Sequence, residues 1–389
     1  MALTPFIPQD KAPADLQDAV DRLIQQDIEL HGKIPAPLRL PMMNLLRQVN
    51  SYYSNKIEGN VTDPEDVLRS QEDNFDEDLQ EIRRHIEAQK RLADEPIHKL
   101  EVCSRNAIAR MHRKIYTGMS DQYLDPKLND GGATARLVPG EFRQKDVIVG
   151  KHIPPSVEEM RSHMNWFENA YRLDRIHGLS RLFAAAGAHH RLMWIHPFLD
   201  GNGRIGRLFT DQYLKAAGMG GYGLWSMSRG FGRDVEAYYA ALRAADQPRK
   251  GDLDGRCELS DSGLLVFTRY FVETALDQVQ YFSSLLEPQM LGDRIDVYFE
   301  LRKRGAYTNR KAQILSPLRI EARDIYKTLL YQGEQQRADI QARLGVGERI
   351  TWSILAQMAG EDLINLDGCK PVTLNLSPDS IEFLFPHLW

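Results

Sequence analysis

His196-Pro-Phe-Leu-Asp-Gly-Asn-Gly-Arg-Ile-Gly-Arg207 puts an imidazole, a carboxylate, three glycines and two guanidiniums into twelve residues, between two apolar stretches of helical period. Upstream, Leu182 to Ile195 is apolar at three- and four-residue spacing. Pro197 stops that helix at His196, because the residue before a proline is pushed out of the α region. Downstream, Gly201-Asn-Gly releases the backbone and Arg204 to Ala217 resumes a helical pattern. The spacing therefore predicts a histidine at one helix end, beside the unpaired N–H groups at the start of the next helix. That is an anion site by construction.

The residue types narrow the anion. Two arginines on a helix N-terminus suit a polyphosphate, since the guanidinium fork matches phosphate oxygens and the helix dipole adds partial positive charge. Asp200 would repel that phosphate unless a cation lay between them. Mg²⁺ meets the need, because it keeps most of its waters and takes one or two carboxylates along with phosphate oxygens. His196, with an ordinary pKa near ~6.5, can accept a proton from an attacking hydroxyl at neutral pH. A histidine at a helix end is by itself more often a cap or core residue than a base, and a lone Gly-Asn-Gly loop says little. The whole constellation reads as a nucleotide-transfer site.

The stretch resembles the Fic family signature, HPFx(D/E)GNGRxxR, and matches it at every defined position. The resemblance implies a helical core that transfers AMP from ATP to a Ser, Thr or Tyr hydroxyl of a protein and releases pyrophosphate. Some relatives transfer other phosphate-linked groups. It further implies that His196 is the base and that Asp200 holds Mg²⁺. The nucleotide would be gripped by Gly201, Asn202, Gly203, Arg204, Ile205, Gly206 and Arg207, with Arg204 on the α- and β-phosphates and Arg207 on the γ-phosphate.

Three further stretches gain meaning beside this one. Ser54-Asn-Lys-Ile-Glu-Gly59 is, taken alone, a glycine-capped helix end; it resembles the family's inhibitory motif (S/T)xxxE(G/N), matched by Ser54, Glu58 and Gly59. In relatives that glutamate pairs with the second motif arginine, here Arg207, and obstructs the γ-phosphate. Glu141 to Gly150 has strand character, and a two-stranded hairpin is marginal unless it packs on something. Pro139 to Arg143 together with Val149, Gly150, Lys151 and His152 resembles the family flap, which covers the nucleotide and offers an edge to a target strand. Tyr238 corresponds to a residue at the adenosine. Asp246 stands where the family usually carries Asn.

Composition limits the alternatives. A chain of 389 residues with 42% apolar and 26% charged residues is globular rather than disordered. The net charge of −5 and pI near 6.2 give no global basic field to attract nucleic acid. Cys103, Cys257 and Cys369 lie far apart, and their odd number favours free thiols in a reducing compartment. No run approaches the roughly 20 apolar residues of a membrane span, and the start lacks a basic region leading into an apolar one. A cytoplasmic protein is expected.

The expected fold is mainly α, a Fic-type helical bundle with a β-hairpin flap and a small C-terminal winged-helix-like domain. Its parts are an N-terminal helical region (1–110) with the inhibitory helix at about 42–59, a catalytic core (111–290) with the flap at about 139–155, a helical linker (291–316) and the tail (317–389). A helix is expected over about Ile97 to Tyr116. In the tail, Ala322–Tyr331, Arg337–Leu344 and Glu348–Met358 read as helices, and Leu363–Leu366 and Val372–Leu376 as alternating strands about an Asp367-Gly368 turn. Many winged helices bind DNA, but from Arg319 onward seven Lys and Arg face ten Asp and Glu, a net of −3. A phosphate-tracking surface needs clustered positive charge, so a packing, dimerisation or target-docking role is favoured.

The leading expectation is thus an ATP- and Mg²⁺-dependent protein adenylyltransferase held back by Glu58, with self-modification and homodimer formation left open. Removal of AMP, another nucleotide donor, and a DNA-binding regulator that senses nucleotide are the competing readings.

Overall fold

A computed structural model describes residues 3–69, 77–125, 135–150 and 152–389. After a short 3₁₀ turn come α1 (Ala14–Lys33), α2 (Ala36–Ile57), α3 (Pro64–Leu68), α4 (Glu77–Asp94), α5 (Arg105–Tyr116), α6 (Asp121–Leu124), α7 (Val157–Ala170), α8 (Ser180–Ile195) and α9 (Asn202–Ala217). They are followed by α10 (Met227–Arg233), α11 (Val235–Ala245), α12 (Asp261–Leu285) and α13 (Pro288–Lys303). The chain ends in α14 (Glu321–Gln332), α15 (Arg337–Leu344), α16 (Glu348–Gly360), β1 (Ile364–Asn365), β2 (Thr373–Leu374) and α17 (Pro378–Leu384). It divides into two compact units, Met1–Ile28 with Asn50–Val279, and Glu29–Val49 with Gln280–Trp389.

In the first unit α8 is the central rod. It is buried along almost its whole length, His189, His190 and Arg191 included, as befits a helix surrounded by others. Its Ala184–Ala188 stretch lets neighbours approach closely. The chain's N-terminal segment crosses there, with the Tyr171 hydroxyl and Arg191 Nε donating to the carbonyls of Pro5 and Thr4. α9 packs antiparallel beside α8, and α5 and α10 flank α9. α7 is started by a capping box in which Ser156 and Glu159 satisfy each other's backbone N–H groups.

The C-terminal half of α2 buries polar residues, Asn50, Ser51, Ser54 and Asn55, alongside apolar Val49, Tyr53 and Ile57. Asn50 Nδ2 donates to Asp211 of α9 at 2.6 Å, and the Asn50 carbonyl accepts from Ser226 Oγ at 2.8 Å. Burial raises the Asp211 pKa to about 6, against opposing bonds from Tyr222 and Asn50. These bonds fix the register of α2 on the core and so aim its last turn, which carries Glu58.

Two expectations about elements need correction. The helix expected from about Ile97 begins only at Arg105, because Ser104 takes the N-cap position and accepts the Ala107 N–H at 3.0 Å. The strand expected over Glu141–Gly150 does not form. Within 139–155 the described residues contain a lone bridge, Val149 to His152. Arg143 explains the difference: its guanidinium takes the carbonyls of Lys145, Pro155 and His196, and its own N–H goes to Pro197 O at 2.9 Å. Backbone oxygens that a ladder would use are committed to one side chain.

In the second unit α13 packs on α14 and α17. The tail holds four helices, α14 to α17, and an antiparallel pair with Ile364 opposite Leu374 and Asn365 opposite Thr373, while Gln335 bridges Val372. Buried Arg302 pairs with Glu361 at 2.6 Å. α17 was not expected; at seven residues it is too short to show a period, and its proline sits where a first turn tolerates one.

Candidate active site

His196 is the C-cap of α8. Its φ of 51° and ψ of 62° are left-handed, so the residue does leave the α region before Pro197, but by the route a helix C-cap uses rather than into extended backbone. The ring is held by Nδ1 at 3.4 Å from Met193 O. Burial, aided by the nearby His152 and Arg143 charges, lowers its pKa to about 4 against the pull of the Met193 carbonyl. The imidazole is therefore neutral at pH 7 and able to accept a proton.

The loop that follows is closed by Asn202, whose amide accepts from Phe198 N–H at 2.9 Å and donates to Phe198 O at 2.8 Å. Asn202 thereby builds the loop with its side chain. Gly201 N-caps α9 at φ 80°, and no side chain caps that terminus, so its first N–H groups are open to an anion. A side chain at Gly201 would also strike the Tyr116 ring.

Both arginines on the first turns of α9 are buried, and each is occupied by a carboxylate. Arg207, 1% exposed, meets Glu58 Oε1 at 2.5 Å through Nη2, which also donates to Ser54 O at 2.8 Å; its Nε donates to Ser54 Oγ at 2.9 Å. Ser54, Glu58 and Gly59 thus act as one device, the glycine ending α2 at φ 95°. Burial opposes charge on this pair, but each partner holds the other ionised. The Glu58 pKa lies below its ordinary value and that of Arg207 above. The Glu58 carboxylate fills the space where any side chain at position 203 would stand, so Gly203 is what lets it reach the helix end. Arg207 Nη1 is buried with no hydrogen-bond partner among the described residues, as is Arg204 Nε.

Arg204 sits in a second cluster. Its Nη1 is paired with Glu81 of α4, and its Nη2 donates to the Tyr116 hydroxyl at 2.7 Å and to Asp200 Oδ2 at 3.0 Å. The same Asp200 oxygen accepts from the Tyr116 hydroxyl at 2.8 Å. Burial lowers the Arg204 pKa to about 10 and raises that of Asp200, with Tyr116 and the Gly201 N–H pulling the latter back. Tyr116 is stacked on His112, which stacks in turn on Phe198 and accepts the Gly140 N–H at 2.8 Å. One face of α5 therefore joins the flap's start, the loop and Asp200.

Of the other residues singled out in the sequence, Ile205 and Gly206 are buried within α9. His152 Nε2 lies 2.8 Å from Trp194 O, which anchors the turn at Val149 and Gly150 beside the end of α8. Lys151 lies outside the described residues. Tyr238 is fully buried, its hydroxyl 2.8 Å from His189 Nε2 and its ring stacked on Phe231. The adjacent Tyr239 donates to Ile57 O at 3.1 Å, at the end of α2. Glu81 and Tyr116 belong to no motif in the sequence, and Arg143 stands there only as the end of the Pro139–Arg143 flap stretch. Glu81 has one signal: Glu81, His85 and Gln89 make a polar stripe at four-residue spacing down α4.

With this geometry in place, comparison is informative. The Fic/DOC family model matches residues 102–214, which run from the turn before α5 to α9. Protein adenylyltransferase Fic of Drosophila grimshawi is 31% identical over 173 residues, 43% of this chain and 32% of that protein. The protein of the same name from Nematostella vectensis is 29% identical over 236 residues, 56% of this chain and 52% of that protein. Residues 102–214 thus carry a Fic/DOC family domain. The chain spans about a third to a half of the length of these curated relatives. The crystal structure of a Fic family protein from Desulfovibrio desulfuricans G20 superposes with a TM-score of 0.52 at 17% identity, covering 92% of this chain and 96% of that one, so the likeness there is one of fold. The Fic core accounts for α5 to α9; Glu58 and Glu81 reach it from helices outside the matched segment. Among the described residues no helix is long and apolar enough to cross a membrane.

Proposed function

We propose that this chain is a protein adenylyltransferase that moves AMP from ATP to a Ser, Thr or Tyr hydroxyl of a target protein, and that it rests in an inhibited state. The observation that carries this reading is a neutral imidazole at the end of α8, facing a helix N-terminus that holds two buried guanidiniums. The naming of the curated relatives agrees with it.

His196 accepts the proton of the target hydroxyl as its oxygen bonds to the α-phosphorus. The bond from that phosphorus to the bridging oxygen breaks, and pyrophosphate leaves. The first N–H groups of α9 and Arg204 stabilise the charge that builds on the phosphate oxygens. Arg207 orients the γ-phosphate once Glu58 withdraws. Asp200 suits Mg²⁺: its side chain is 41% exposed beside the α9 terminus and supplies a hard oxygen ligand. A divalent ion bound there would offset the charge of the triphosphate. The flap turn at Val149–His152 would lie over the nucleotide.

The test is to incubate a Glu58→Gly protein with α-labelled ATP, Mg²⁺ and a lysate, and to locate AMP on peptides by mass spectrometry. AMP on a hydroxyl side chain supports the reading. No AMP transfer, with binding of ATP intact, refutes it and turns attention to another donor or to removal of AMP.

A further inference from the structure

Glu58 accounts for one arginine only. Arg204 is as buried as Arg207 and is also closed off by a carboxylate, Glu81, whose side chain is itself 11% exposed. Three carboxylates, Glu58, Glu81 and Asp200, thus face two guanidiniums at the α9 terminus. A pocket with that balance repels a triphosphate. Withdrawing Glu58 and placing Mg²⁺ on Asp200 would still leave Arg204 held by Glu81.

The two glutamates are joined through their helices. α2 ends in Glu58-Gly59-Asn60, and Asn60 Nδ2 donates to Asp78 O at 2.9 Å and to Glu81 Oε2 at 3.3 Å. One turn along α4, His85 Nδ1 lies 3.4 Å from Asn55 Nδ2. A turn beyond that, Gln89 accepts from Asn50 at 2.9 Å and donates to Ser51 Oγ at 2.6 Å. Residues at i, i+4 and i+8 of α4 are therefore strapped to α2 along its buried polar face. A shift of α2 that carries Glu58 away from Arg207 pulls on Glu81 as well.

We propose that Glu81 is the second half of the restraint: a positioning residue that withholds Arg204 from the phosphates as Glu58 withholds Arg207, with Asn60 coupling the two. The inference rests on the adenylyl-transfer reading of the site. It assigns α4 a regulatory part alongside α2 and predicts that Glu58→Gly is only partly released.

The experiment uses the full chain and four proteins: wild type, Glu58→Gly, Glu58→Gly with Glu81→Gln, and Glu58→Gly with Asn60→Ala. Binding of Mg·ATP is followed by calorimetry, and labelling by single-turnover kinetics. Adding Glu81→Gln should tighten Mg·ATP binding about threefold to tenfold and lower KM by the same factor, with kcat changed by less than about twofold, the split expected when a competitor for ground-state binding is removed. Asn60→Ala touches neither arginine and should shift binding in the same direction by a smaller factor. It also serves if the Glu81 variant fails to fold. Binding that is unchanged or weaker in both double variants overturns the role of Glu81 while leaving the activity of Glu58→Gly in place. If Glu58→Gly neither binds Mg·ATP nor labels protein, the adenylyl-transfer reading fails and this inference falls with it.

Discussion

Glu58→Gly is the sharpest perturbation the site offers. The residue makes a 2.5 Å charge-assisted bond to a buried guanidinium that also donates to Ser54. Such bonds contribute roughly 1.5–3 kcal/mol. Glu58 is 34% exposed, so solvent screening favours the lower end, and about 1.5 kcal/mol corresponds to roughly a tenfold change in rate or population. Single-turnover transfer of α-labelled AMP by Glu58→Gly should therefore exceed wild type at least about tenfold, and more if misalignment of the reacting atoms adds to the barrier. Arg207→Ala should not mimic it, because that change removes the phosphate clamp together with the inhibitory partner. If Glu58→Gly matches wild type on a verified target, or if the Glu58→Gly and Arg207→Ala double variant is as active as Glu58→Gly alone, Glu58 is only the last carboxylate of a capped helix.

Four other outcomes follow from the same geometry. His196→Ala should still bind ATP, measured by calorimetry, yet lose transfer by at least roughly 10²-fold, the scale of general-base catalysis; wild-type rates would remove the histidine from the mechanism. Asp200→Ala should flatten the dependence of activity on Mg²⁺, and EDTA should abolish transfer by Glu58→Gly, so undiminished labelling in excess chelator would rule out a metal role. The His196 pKa of about 4 moves the acid limb of kcat/KM below about pH 5, and an inflection near 6.5 would contradict the burial of the ring. Stability should follow the same sense. Burial lowers His85, His112 and His189 to about 3, so the stability they contribute is complete above about pH 6.5, the unfolded value, and is lost as pH falls towards 3. Each adds up to about 1.4 kcal/mol per pH unit across that window, which urea unfolding at pH 7, 5.5 and 4.5 would read.

The catalytic loop was legible because its parts are contiguous. Proline after histidine, glycines at the turn and arginines on the next helix each impose a local conformation, and the structure builds α8, the Asn202 loop and α9 from them. Glu58 could be read from a short pattern once the loop was known. Glu81, Tyr116 and Arg143 could not, because their roles come from tertiary contacts with residues more than fifty positions away in sequence. The flap shows the same limit. Val147-Ile148-Val149 is a β-branched run of the kind that favours a strand, and nothing local tells whether a neighbouring strand or the Arg143 guanidinium will take the carbonyls around it. α2 misleads in the opposite sense, since Asn50, Ser51, Ser54 and Asn55 look like a solvated face and are buried.

Those buried polar residues connect stability to control. A site made to grip a triphosphate needs desolvated guanidiniums, and leaving one unpaired in a buried position costs about 3–5 kcal/mol. Carboxylates brought in by α2 and α4 meet that need in the resting protein by occupying Arg207 and Arg204. On the proposed reading they would also keep the ligand out for the same reason, because phosphate oxygens would need the guanidinium atoms that the carboxylates neutralise. The proposed inhibition would then be a consequence of how the buried guanidiniums are kept paired. Substrate can displace the carboxylates only by offering each arginine at least as much as it gives up, and Mg²⁺ on Asp200 would shift that balance by lowering the charge the triphosphate brings in. If the carboxylates are the restraint proposed, activation would belong to whatever moves α2 and α4, while the geometry at His196 is fixed independently by α8, the Asn202 loop and Arg143.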